Sequence, residues 1–176
     1  MGDEALRRIV PAGQFDRRVE RALDTRQRSR RGCAVVVLRV HGNSESSDPS
    51  RPASLDDDGT LERLRLPLNE RDALTVLDTG ELAVLCHGAH GVVGAEVAAA
   101  RIVAAAAQSL SDGGRRPVID AGVAAADGFA GTASQLTAGA RAAMLAAGRR
   151  IGTCIEVWRG PVPVADAALA GGGADG

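Results

Sequence analysis

The tightest constraint on this chain lies between Ala73 and Cys86, where two apolar runs flank the tripeptide Asp78-Thr79-Gly80. Ala73-Leu74-Thr75-Val76-Leu77 reads as one strand and Glu81-Leu82-Ala83-Val84-Leu85-Cys86 as the next. Glycine takes a positive φ without steric cost, so a short polar segment containing Gly between two such runs predicts a hairpin. The turn would bring Asp78 and Glu81 to one end of a sheet. Paired acids at a hairpin tip point to a metal and nucleotide site, or to the remains of one.

The 176 residues are enough for one domain with a substantial core. A net charge of −1 gives no strong field toward nucleic acid or an anionic membrane. All 21 basic residues are arginine, and tyrosine is absent. A coding bias toward Arg, Ala and Gly accounts for this, yet the chemical consequence stands: Schiff-base lysine, Walker lysine and tyrosine acid are excluded. Phosphate would have to be held by Arg, backbone N–H or a metal. Phe15, Phe129 and Trp158 are the only aromatics, which argues against a stacking platform for nucleic acid. Cys33, Cys86 and Cys154 sit in apolar surroundings as free thiols do in a reducing compartment. Neither a signal peptide nor an apolar run of membrane-spanning length is evident; Ala98–Ala107 is short and carries Arg101. A cytoplasmic protein that does not touch a membrane is expected.

Phe15, Val19, Ala22 and Leu23 recur at helical spacing and predict an amphipathic helix to Arg28. Cys33 to Val40 is apolar up to Arg39 and reads as a strand buried on both faces. Asn43 to Gly59, rich in Ser, Asp and Pro, reads as a loop of low order, and Leu61 to Leu68 as a short helix or an extended segment. After the hairpin, Ala95 to Leu110 predicts a helix, closed by Ser111-Asp112-Gly113-Gly114. Pro117 to Ala124 predicts a strand. A helix capped by Thr132 or Ser134 follows to about Ala147, and then a strand at Thr153–Trp158. A domain over residues 1–160 and a flexible Ala/Gly-rich tail over 161–176 are expected. Alternating helices and strands imply an α/β fold, a mixed sheet flanked by helices.

In order and spacing these segments resemble a GGDEF domain, the catalytic module of diguanylate cyclases, over roughly residues 4 to 158. Five places carry the resemblance in register. Glu4 to Phe15 has the length of the family's opening motif, Asp-x-Leu-Thr-Gly-Leu-x-Asn-Arg-Arg-x-Phe. Val35 to Gly42 is similar to the first strand, which ends Asp-x-Asp-x-Phe. Val76 to Leu85 sits where the family has Gly-Gly-Asp-Glu-Phe followed by Ala-Val-Leu. Val118-Ile119-Asp120-Ala121-Gly122-Val123-Ala124 resembles the strand ending Ser-Ile-Gly-Val-Ala. Ala140 to Ala147 resembles the last helix, Ala-Asp-x-Ala-Leu-Tyr-x-Ala-Lys. The resemblance implies a palm or ferredoxin-like sheet.

The apolar skeleton matches and the polar positions do not. In the family, an Asp ending the first strand and an acid in the hairpin hold two divalent cations for phosphoryl transfer. Here the Asp position is Arg39, which repels a metal. The Gly-Gly pair is Asp78-Thr79, the central Asp is Gly80, and only Glu81 keeps its identity. The first-strand Phe is Asn43. Guanine-recognising positions align with Ser47 and Asp48, and the late phosphate-binding Lys aligns with Gly148, with Arg149 adjacent. The inhibitory product site Arg-x-x-Asp reads Asn69-Glu70-Arg71-Asp72, keeping only Asp72. Arg39, Asp78, Thr79, Gly80 and Glu81 are thus vestigial positions with no catalytic residue among them, and no metal or cofactor is expected. Arg39 would either pair with Asp78 and Glu81 or reach solvent.

Val-Leu-Asp-Thr-Gly also resembles the aspartic-protease signature, but Glu81 and the helix-rich remainder do not suit an all-β protease. Cys86, His87 and His90, with His41 and Cys33, have no zinc-site spacing. Arg17, Arg18, Arg21, Arg26, Arg28, Arg30 and Arg31 read as a solvated helix face rather than a nucleic-acid surface. The expectation is therefore an inactive GGDEF-like signalling or interaction module. With no sensor domain attached, its partner would act in trans or be a second copy, with at most a weakly bound guanine nucleotide. The alternative is a divergent, Mg-dependent nucleotide-handling enzyme using Asp48, Glu81, Arg149 and Asp120. Asp120, inside an apolar strand, is expected at an edge or facing solvent.

Overall fold

The computed structural model describes residues 9–29, 32–41, 67–111 and 116–160. The loop expected over 43–59, the segment over 61–66, the glycines after Ser111 and the tail over 161–176 lie outside the described residues, as do Ser47 and Asp48. Along the chain the described elements are α1 (Ala12–Ser29), β1 (Cys33–His41), β2 (Ala73–Val76), β3 (Leu82–His87), α2 (Gly91–Ser109), β4 (Val118–Ala125), α3 (Ala133–Ala147) and β5 (Cys154–Trp158).

The strands form one sheet in the order β2-β3-β1-β4-β5. All neighbours are antiparallel except β4 and β5, which run parallel and are joined by α3. Strand alternation sends one set of side chains to each face. Val36, Leu38, Leu82, Val84, Ile119 and Val123 pack against α2. Val35, Val37, Ala83, Leu85 and Ala124 pack against α1 and α3 through Phe15, Val19, Leu136 and Met144. With helices on both faces, β1 is apolar on both, which is why its sequence reads as one unbroken run.

The hairpin closes as expected. Gly80 N–H donates to Leu77 O at 2.8 Å, Leu77 N–H donates to Glu81 O at 2.8 Å, and Gly80 takes φ +80°. That left-handed residue is the requirement glycine meets in a three-residue hairpin loop. Thr132 caps α3 in a reciprocal box with Gln135. At Gly122 a Cβ would run into the backbone of Ala140 and Met144, so α3 rests directly on β4 only because that residue is glycine.

Helix α2 differs from its sequence reading. At 19 residues and a mean hydropathy of 1.3, it is long and apolar enough by composition to cross a membrane. It begins at Gly91, because Gly91-Val92-Val93-Gly94 is helical rather than a lead-in, and Ala95, Ala98, Ala99, Ile102, Val103 and Ala106 bury one face on the sheet.

Candidate functional site

The ends of β1 and β3 and the middle of β4 place their polar residues on the face covered by α3. Register sets this up. Arg39 lies directly across from Asp120, and His41 two pairs further along β1, on the same face. Glu81 precedes β3 on the same face as Ala83 and Leu85. The island so formed sits beside the apolar core and reaches solvent through Arg39 and His41, which are partly exposed.

Glu81 is at its centre, with a side chain only 2% exposed. Arg39 Nη2 donates to its Oε1 at 2.7 Å. Arg141, from α3, donates through Nε to Oε2 at 3.2 Å and through Nη2 to Oε1 at 3.4 Å. The Thr79 hydroxyl also donates to Oε2. Burial alone would push this carboxyl up, but the Thr79 hydroxyl and the Arg141 and Arg39 guanidiniums outweigh it and hold it below the usual carboxylate range. Both oxygens are therefore occupied by donors, and two guanidiniums face this single carboxylate.

The expected pair of acids does not form. Asp78 is exposed on the turn, while Glu81 points under α3. Of the two partners considered for Arg39, the structure supplies Glu81. Arg141 was missed by sequence reasoning, although the signal was present: it stands where the aligned helix motif has Asp. Two guanidiniums, Arg39 and Arg141, thus converge on the one buried acid, Glu81.

Asp120 corrects the sequence expectation. It lies in β4, between β1 and β5, and is 3% exposed, neither at an edge nor facing solvent. Its Oδ2 is 2.6 Å from His41 Nε2, a cross-strand diagonal contact that satisfies the buried carboxylate. Gly148, where the family has Lys, ends α3 above this pair; a Cβ there would stand 2.6 Å from Asp120 Oδ2. Arg149 is exposed in the following turn and makes no contact with Glu81.

Asp72 lies at the opposite end of the hairpin strands. Its carboxylate accepts the N–H groups of Asn69 and His87, each at 2.8 Å, and His87 Nδ1 stands 3.6 Å away. Burial raises this carboxyl, yet the His87 ring and those N–H groups bring it below its ordinary value. Asp72 is thus a buried strut between the entry to β2 and the end of β3. Asn69, Glu70 and Arg71 line a cavity of about 840 Å³ there, together with Arg18, Arg21, His87 and His90.

The metals implied by this fold do not fit the described residues. No group of three His, Cys, Asp or Glu side chains converges among them. Glu81 has both oxygens taken by the Arg39 and Arg141 guanidiniums and the Thr79 hydroxyl, and a guanidinium repels a divalent ion. The zinc reading also fails to assemble: His41 and Cys33 are at opposite ends of β1. Arg26 turns inward to donate to Phe129 O at 3.0 Å, while Arg17 and Arg21 are exposed.

A mixed five-stranded sheet with helices on both faces and a hairpin beside the end of its central strand defines a palm-like α/β domain. No family model and no curated protein matches the sequence. Solved structures do. The GGDEF domain of YfiN (TpbB) from Pseudomonas aeruginosa aligns with a TM-score of 0.62 and 25% identity, covering 84% of this chain and 88% of that one. The active GGEEF domain of a Vibrio cholerae diguanylate cyclase aligns with a TM-score of 0.64 at 11% identity, over 85% and 97% of the two chains. The GGDEF domain of Caulobacter crescentus DgcB, in complex with c-di-GMP, gives 0.59 and 13%, over 84% and 88%. The chain has the fold of GGDEF domains.

Proposed function

We propose that this GGDEF-like domain carries out no phosphoryl transfer and serves signalling by binding a protein partner, in trans or as a second copy of itself. The observation that carries the reading is the occupation of Glu81 by Arg39 and Arg141. Two-metal phosphoryl transfer needs carboxylates free to bind cations and draw negative phosphate oxygens together. A carboxylate saturated by two guanidiniums offers no such site. The acid that the resemblance implies at Gly80, on the turn, and the lysine it implies at Gly148, above Asp120, are likewise missing.

The purified protein, incubated with GTP and Mg²⁺ or Mn²⁺, is expected to yield no cyclic dinucleotide above a blank. Thermal-shift measurements with GTP, ATP and cyclic dinucleotides are expected to leave the melting temperature unchanged. Product formation, or a metal-dependent shift abolished by Glu81→Gln, overturns the reading in favour of a nucleotide-handling enzyme.

A further inference from the structure

Helix α2 has two apolar faces, and the sheet uses one. The other carries Val93, Val97, Ala100 and Ala104, all exposed, spaced four, three and four residues apart. Val93 is 72% exposed and Val97 62%. That spacing is the a/d seam of a heptad repeat. Valine is a poorer helix former than alanine, so helix stability alone gives no reason for it at solvent-facing positions.

Charge adds a second, independent pattern. At 3.6 residues per turn, Glu96 lies about 70° to one side of the seam's centre and Arg101 about 70° to the other. These are the g and e positions of the same heptad. Both residues are exposed, and among the described residues neither has an ion-pair partner.

We propose that the outer face of α2 is a self-association surface that pairs in parallel with α2 of a second copy of this chain. In a parallel pair, a g side chain meets the e side chain five residues further along the neighbouring helix. Glu96 then meets Arg101 of the partner subunit, and the two-fold axis forms that contact twice. An antiparallel pair would instead set Glu96 beside Glu96 of the partner subunit, and Arg101 likewise beside its own copy. The charges therefore select the parallel arrangement. Ala100 and Ala104 allow close approach of the helices while Val93 and Val97 supply the knobs. One helix face is a small interface, so the association is weak and reversible.

The surface deepens the interaction reading by naming a second copy as the partner, but it stands on the exposed seam and not on the absence of catalysis. Sedimentation equilibrium of the full chain, up to roughly 1 mM, is expected to give a reversible monomer–dimer equilibrium. E96R or R101E alone is expected to weaken dimerisation about tenfold, because two attractive contacts become repulsive. E96R/R101E together is expected to restore it to within about threefold of the parent. A chain that stays monomeric throughout overturns the proposal, as does a double reversal no stronger than the single ones. A monomer that makes no cyclic dinucleotide refutes this surface alone; a dimer that makes it refutes only the inactive reading.

Discussion

Replacing Arg39 and Arg141 together by methionine strands Glu81. Its side chain is 2% exposed and would keep only the Thr79 hydroxyl. At separations of 2.7 Å and 3.2 Å the two attractions amount to about 6 and 5 kcal/mol at an effective dielectric of about 20. Arg39 is 27% and Arg141 37% exposed, so water screens both, and much of the remainder only offsets desolvation of the carboxylate. Leaving a buried charge without partners costs about 3–5 kcal/mol, which for a chain of this length lowers Tm by roughly 10 °C. The pH dependence follows from the sign of the shift. In the parent the folded carboxyl titrates below its unfolded value, so its contribution is complete above the unfolded value and is lost as pH falls through the folded one. In the double variant only the Thr79 hydroxyl still opposes burial, so the folded value rises, and the penalty is full at neutral pH and fades on acidification. Urea unfolding followed by circular dichroism at about pH 7 and about pH 5 reads both effects. A double variant within about 1 kcal/mol of the parent at neutral pH, or with the same deficit at both, refutes the reasoning.

Three further perturbations test other parts of the structure. Asp72→Asn is expected to lose about 1–3 kcal/mol, because an amide cannot accept both the Asn69 and His87 N–H groups, and to flatten the acid limb of the stability profile below about pH 4; equal acid limbs in denaturation series would contradict this. Gly122→Ala is expected to cost about 3 kcal/mol or more, since α3 must lift from β4, read as a loss of cooperative melting; a variant as stable as the parent would contradict the packing. Burial pushes the Cys33 thiol up to about 11 and the Cys86 thiol higher still, so Cys154 is expected to react first with a disulfide reagent in native protein, with the other two released only on unfolding.

The fold was legible because burial writes itself into apolar spacing. The unbroken run from Cys33 shows a strand covered on both faces, and the strands flanking Gly80 end within a residue or two of expectation. Helix α2 begins four residues early because Val92 and Val93 do not discriminate helix from strand, and the helix spends them on its outer face. The candidate site was legible in part. A sign change at Arg39 could be aligned, but its partner depended on register, since Glu81 is distant in sequence and reaches Arg39 only across the β1–β3 pair. Arg141 and the His41–Asp120 contact depend on α3 crossing the sheet at Gly122 and on a diagonal between strands, neither of which leaves a local pattern. A polar residue inside an apolar strand reads as an edge residue unless its partner is known, and that misplaced Asp120.

The central claim is that cationic side chains hold the position where this fold would otherwise bind a divalent ion. Anomalous diffraction from crystals grown with millimolar Mn²⁺ and a non-hydrolysable GTP analogue tests it most directly. The account predicts no manganese peak near the turn, with the Glu81 carboxylate still bonded to Arg39 and Arg141. A peak within coordination distance of Glu81, with either guanidinium swung away, would contradict it.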